Sequence, residues 1–255
     1  MVDFAVTDIL AKVRRRTRRF WNYRRIERAL KGKRGLEIGG PSAIFSPATP
    51  NGFIPPVYAI AASVDNCNFA TSTTWSHGEA GRTFRYLPDR EPGMQCIHDA
   101  TELASIADGT YDFLLASHIL EHVANPLRAL REFHRVLKPQ GYVLIAVPNR
   151  VHTFDRRRPL TTFAHLEADL AADTDESDMT HLEEILALHD LEKDKPAGTP
   201  EEFRERCLRN REARCMHHHV FDLALLDRSL RHAGFHPLYG TDVWEIHVLI
   251  FARRS

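Results

Sequence analysis

From Gly35 onward the chain is a succession of short apolar runs, each ending in small or polar residues and separated from the next by enough chain for a crossover. The runs are Gly35–Gly39, Ala59–Val64, Gln95–His98, Tyr111–Ala116 and Tyr142–Val147. Between the last two, Asn125-Pro126 opens a helix: Asn is the cap, Pro takes the first helical position, and Leu127, Leu130, Phe133, Val136 and Leu137 fall on one face. Lys138-Pro139-Gln140-Gly141 ends it. Strands joined by crossovers pair in parallel, and a parallel sheet must be covered by helices on both faces. A later helix, Phe221–Ala233, and two closing strands, Phe235–Tyr239 and Trp244–Ala252, bring the expected sheet to seven strands.

The rest of the chain departs from this rhythm at two places. Residues 1–33 read as a basic helical extension, with Phe4, Ile9, Val13, Phe20, Trp21, Ile26 and Leu30 at helical intervals. Residues 1–34 hold 12 Lys and Arg against three acids, although the net charge of the whole chain is zero. The expectation is a helix capping the main domain, with adhesion to an acidic surface as the alternative. Residues 34–255 form the main domain, and 151–217 interrupt it as a helical insertion rich in acids, His and Arg. Residues 165–194 alone hold 11 Asp and Glu against one Lys, so self-association of the basic arm with this acidic stretch is a further expectation. Four scattered cysteines without a CxxC pair fit neither a disulfide framework nor a zinc ribbon, and read as reduced thiols. No apolar run is long enough to span a membrane and no secretory pattern opens the chain, so a cytoplasmic protein is expected.

In a parallel α/β sheet, ligands bind beyond the carboxyl ends of the strands. The expected strand ends carry Glu37, Gly39 and Gly40; Asp65 and Asn66; Asp99 and Ala100; and Ser117 with His118. Carboxylates gathered on one rim repel one another unless a ligand rich in hydroxyl and amino donors engages them. The first loop, Gly39-Gly40-Pro41-Ser42, lacks the G-x-G-x-x-G spacing that seats a dinucleotide pyrophosphate, and Glu37 beside it would oppose a phosphate. Beside an amino group or a sulfonium the same acid is favourable.

These residues resemble a known family, the class I S-adenosylmethionine-dependent methyltransferases of the "methyltransferase domain 11" type. The resemblance rests on Leu36-Glu37-Ile38-Gly39-Gly40, on the run from Tyr111 to Val123, on Arg135-Val136-Leu137-Lys138-Pro139 with Gly141, on Val147-Pro148-Asn149, and on Ala233-Gly234-Phe235. It implies a Rossmann-like sheet of seven strands with helices on both faces and a substrate lid after the fifth. It also implies S-adenosyl-L-methionine as cofactor. Gly39, Gly40 and Ser42 would border its methionyl-ribose part, Glu37 its amino group, Asp65 or Asn66 the ribose hydroxyls, Asp99 and Ala100 the adenine, and Ser117 and His118 the methyl end. The third glycine of the usual loop is missing, and Asp65 lies unusually far from Gly39.

Methyl transfer to an oxygen or nitrogen nucleophile of a small molecule or glycan is the expected reaction, because a long insertion can enclose such an acceptor. His118 and His152 are the candidate bases, with His217-His218-His219 as a further source of one. Glu121-His122 reads more readily as a brace for the neighbouring loop. Arg156-Arg157-Arg158 either binds an anionic group of the substrate or neutralises the acidic stretch that follows. No metal is expected, since the His spacing matches no familiar ligand pattern. An RNA methyltransferase using the basic arm, or a non-catalytic cofactor-binding module, are the alternatives; nucleic-acid binding is not favoured.

Overall fold

The computed structural model describes residues 19–49, 52–73 and 78–255. Most of the basic arm, and with it the expected helix before residue 19, lies outside the described residues. Residues 19–30 form helix α1, and Ile26 and Leu30 are fully buried against the sheet.

Eight strands form one sheet: β1 (Arg34–Ile38), β2 (Ser63–Asn68), β3 (Gly81–Phe84), β4 (Gly93–Ile97), β5 (Tyr111–Ser117), β6 (Leu137–Pro148), β7 (Phe235–Val243) and β8 (His247–Arg254). Their order is β3-β4-β2-β1-β5-β6-β8-β7. Strands β4, β2, β1, β5 and β6 are parallel neighbours, while β3 pairs antiparallel with β4 at one edge and β8 inserts antiparallel between β6 and β7. The chain therefore runs outward from β1 in both directions, and the switch point lies between β1 and β5. The eighth strand is β3, a short and partly exposed edge segment without an apolar signature.

One face of the sheet is covered by α3 (Pro126–Val136), α4 (Phe163–Ala171) and α8 (Leu223–His232). The other is covered by α1 and by the short α2 (Val57–Ile60). Helix α3 begins as its sequence dictates: the Asn125 side chain accepts from the Arg128 N–H at 3.1 Å and Pro126 follows. Leu127, Leu130, Phe133 and Val136 are fully buried.

The largest departure from expectation is the second strand. Pro55-Pro56 starts a helical turn at 57–60, so the strand begins at Ser63 and runs to Asn68. Its sequence, Ser-Val-Asp-Asn-Cys-Asn, is polar, yet it is buried at five of six positions. The expected strand at 59–64 is thus replaced by one whose carboxyl end lies four residues later. The insertion folds around its own core of Leu182, Ile185, Ala197, Phe203, Cys207 and Met216, with helices α5 (Leu182–Leu188), α6 (Pro200–Leu208) and α7 (Asn210–Ala213). Helix α6 ends where Arg209 leaves helical geometry, and α7 ends where Arg214 adopts a left-handed conformation.

Candidate active site

A cleft of about 650 Å³ opens at the carboxyl ends of β1, β2, β4 and β5, beneath the insertion. Ile38, Gly39, Pro41 and Ser42 line it from β1 and its loop, Cys67, Asn68 and Phe69 from β2, His98 and Ala100 from β4, and Ser117 and His118 from β5. His152, Phe154, Arg206, Arg214 and His217 close it from the insertion.

The first loop turns sharply because Gly39 has a φ of +76°, and a Cβ there would stand 2.2 Å from Ile119 Cδ1. Glu37 lies below this loop rather than in the cleft. Alternation along β1 sends Leu36 and Ile38 to one face and Glu37 to the other, where it is fully buried. Its carboxylate accepts the Tyr58 hydroxyl at 2.6 Å and the Ser42 N–H at 3.1 Å. Burial pushes the Glu37 carboxyl up to about 7, with those two hydrogen bonds opposing. The acid expected at the cofactor amino group instead holds the loop in shape. Gly40 is likewise beneath the surface, donating to Asn66 Oδ1 at 2.9 Å.

Asp65 and Asn66 are not at the rim. Both lie inside β2, opposite Leu36 and Glu37. Asp65 accepts from Arg34 at 2.7 Å, the Met94 N–H at 2.8 Å and the Tyr111 hydroxyl at 3.0 Å. Asn66 is fully buried, joining Gly40 to Gln95. β2 brings Cys67 and Asn68 to the cleft, and Asn68 is the polar one of the two. Asn68 carries no apolar signal, because the apolar run before it folds as the helical turn α2 and the strand itself is polar. Asp99 stands at the expected strand end, but its carboxylate is engaged. One oxygen caps the turn at Thr101 and the other meets Arg214 at 2.7 Å. Burial alone would raise its pKa, and Thr101 and Arg214 reverse that, leaving it lowered. Arg214 also pairs with Glu176 at 2.9 Å and lies 5.0 Å over the Phe69 ring, so it fastens the insertion to the rim.

His118 occupies the end of β5 with a φ of +56°, and its Nε2 is 2.6 Å from His247 Nδ1. Burial, then His247 and His217, push the His118 imidazole down to about 3, so it is neutral at ordinary pH. Glu121, 3.7 Å from His118 Nδ1, is raised to about 7 by burial. His152 is exposed at the mouth. His217 is buried at the cleft wall with its Nδ1 2.5 Å from Asp155 Oδ2. Burial lowers the basicity of His217, but Asp155 outweighs it and the net shift is upward. Asp155 is in turn lowered to about 2, burial opposing and His217 and Arg158 prevailing.

The three arginines are committed within the insertion. Arg156 bonds Asp190, and Arg157 lies 3.8 Å from it. Arg158 is buried, reaching Asp155 at 3.0 Å, Glu184 at 2.9 Å and the His217 carbonyl at 2.7 Å. They neutralise neighbouring acids rather than present an anion site. Among the described residues, no helix is long and apolar enough to cross a membrane.

A sheet with a parallel core, a glycine loop after its first strand and a cleft at its switch point defines a Rossmann-like cofactor-binding domain. The model of the methyltransferase domain family matches residues 9–239. A ubiquinone biosynthesis O-methyltransferase of Pseudomonas aeruginosa (strain LESB58) is 30% identical over 128 residues, which cover 49% of this chain and 48% of that protein. The chain thus spans about half the length of the curated relatives it matches. An S-adenosylmethionine-dependent methyltransferase from Mesorhizobium loti has a TM-score of 0.47 at 12% identity, covering 89% of this chain and 93% of that one. The trans-methyltransferase CalH, in complex with SAH, has a TM-score of 0.48 at 15% identity, covering 90% of this chain and 53% of that one. The chain belongs to the methyltransferase domain family. Its class is the class I methyltransferases, and its cofactor is S-adenosyl-L-methionine.

The cleft fits that cofactor by its chemistry. Asn68 and Ser117 offer polar side chains, Gly39 and Ala100 bring backbone close, and Ile38, Ile119 and Val123 supply apolar wall for a ring.

Proposed function

We propose that this chain transfers a methyl group to a hydroxyl oxygen of a small molecule enclosed beneath the insertion, with His217 as the base. The observation that carries this is the His217–Asp155 pair at the cleft wall. Asp155 holds Nδ1–H, which fixes the ring and its tautomer and leaves Nε2 to accept the proton of the acceptor hydroxyl. S-adenosylmethionine supplies a methyl group on a sulfonium, so the departing sulfur needs no proton. The protein's contribution is then to align the acceptor oxygen, exclude water and take one proton. Gly39, Ser42, Asn68, Ala100, Ser117 and His118 hold the cofactor in this reading, Asn68 standing where Asp65 was expected. His118, neutral and tied to His247, shapes the methyl end, and His152 at the mouth meets the acceptor. The name of the Pseudomonas relative supports oxygen over nitrogen as the nucleophile.

The test is calorimetry with S-adenosylmethionine and S-adenosylhomocysteine, followed by transfer of labelled methyl to matched sets of hydroxyl and amine small molecules and to RNA. Binding followed by labelling of hydroxyl acceptors is the expected result. Labelling confined to amines or RNA, or no binding of either cofactor form, refutes the proposal.

A further inference from the structure

A second cluster of titratable groups lies in the insertion and the segment that follows it, and none of its members lines the cleft. Helix α4 places His165 and Asp169 one turn apart on one face, with His165 Nε2 3.4 Å from Asp169 Oδ2. His181, just before α5, brings its Nε2 to 3.0 Å from that of His165. His219 packs edge-on against both rings, at 5.7 and 5.6 Å between centroids, and its Nε2 is 3.7 Å from Asp169 Oδ2. Ligand nitrogens of the three histidines all lie within 4.8 Å of one another.

We propose that His165, His181, His219 and Asp169 form a binding site for a divalent cation of the zinc class. Bonds of about 2.0–2.1 Å in a tetrahedron require ligand atoms roughly 3.3 Å apart, and the separations of 3.0 Å from His165 Nε2 to His181 Nε2 and 3.4 Å from His165 Nε2 to Asp169 Oδ2 bracket that value. Hydrogen bonding alone does not account for the cluster. Asp169 Oδ2 and His219 Nδ1 are buried without a hydrogen-bond partner, although each is a strong acceptor or donor. His219 is fixed from outside by the Ala124 carbonyl, 3.1 Å from its Nε2, the kind of outer contact that orients a ligand ring. Three imidazoles and one carboxylate favour zinc or a neighbouring transition metal over magnesium or calcium, which prefer oxygen throughout.

With Asp169, which lies beside His165 and His219, as the fourth ligand, the coordination shell would be closed and the site structural. It would bind α4, the start of α5 and the segment leading into α8 at one point. His219 also donates its backbone N–H to the Glu121 carbonyl at 3.3 Å, so the clamp reaches the loop after β5 that lines the cleft. The spacing of these residues along the chain gave no ligand pattern; only the folded insertion brings them together.

The experiment is cobalt(II) titration of the metal-free chain, residues 1–255, read by visible absorbance, together with elemental analysis of protein purified without chelator. One equivalent with intense tetrahedral bands is expected in the wild type. His165→Ala, at a partly exposed ring, and Asp169→Asn should weaken binding by at least about a hundredfold. His236→Ala, on an exposed residue outside the cluster, should leave it unchanged. Glu121, His122 and His217 form the competing group of potential ligands beside the cleft. Bands that survive His165→Ala but vanish in Glu121→Gln overturn the proposal, as does a wild type that binds no cobalt. Cofactor calorimetry on the same samples separates this outcome from failure of the proposed transferase reaction.

Discussion

His217 Nδ1 lies 2.5 Å from Asp155 Oδ2, across 62 residues of sequence, and the pair is buried at the wall of the cleft. Arg158, itself buried, holds Asp155 from the other side at 3.0 Å. The carboxylate therefore stays ionised and the imidazole keeps one orientation.

If that pair supplies the base, His217→Gln should lower turnover by about 10²–10⁴-fold while cofactor affinity changes little. Asp155→Asn should lower it too, because the ring loses its fixed tautomer. Steady-state kinetics paired with calorimetry checks this; equal losses in turnover and in cofactor affinity would point to a collapsed cleft instead.

Asn68 and Asp65 offer a contrast within one strand. Asn68→Ala should weaken S-adenosylmethionine binding by about 1–3 kcal/mol, the cost of a lost buried hydrogen bond. Asp65→Ala should spare affinity and lower stability, because it strands Arg34, Tyr111 and the Met94 N–H. Calorimetry and denaturant unfolding on the two variants read the two effects separately.

Glu37 predicts a pH dependence of stability. Its carboxyl sits at about 7 in the folded protein against an ordinary value near 4.5, so between those values the folded state retains a proton that the unfolded chain releases. Stability should therefore fall as pH rises from about 4.5 to about 7 and level off above. In Glu37→Gln this contribution, at most roughly 3 kcal/mol, should vanish. Glu121 acts in the same direction and cancels when variant and wild type are compared. Urea titrations at several pH values provide the measurement.

Arg214 holds the insertion to the rim through Asp99 and the Phe69 ring, and is itself braced by Glu176 within the insertion. Arg214→Ala should speed proteolysis within 151–217 and weaken the cofactor by about tenfold. Unchanged cleavage would mean that the insertion's own core suffices to dock it.

The framework was legible because it rests on local signals. The caps and apolar face of α3, the runs at β1, β5 and β6, and the glycine turn at Gly39 each act over a few residues. The second strand was not legible for a physical reason. Its buried positions hold Asp65, Asn66 and Asn68. A polar residue is stable there only when partners from other strands satisfy it, as Tyr111, Gln95 and Gly40 do for the first two, and such partners are invisible to periodicity. The apolar stretch just before it, read as the strand, is the helical turn α2.

The sequence by itself determined the sheet, its parallel core, the turn at Gly39 and the presence of a histidine-rich insertion, because these follow from backbone preferences and apolar spacing. Tertiary structure decided what each polar residue does. It set Glu37 beneath the loop, moved the polar rim residue of β2 from Asp65 to Asn68, gave His217 its Asp155, and gathered His165, His181 and His219 into one cluster. Charge and hydrogen bonding act through space over a few ångströms, and those distances exist only once the chain has closed on itself.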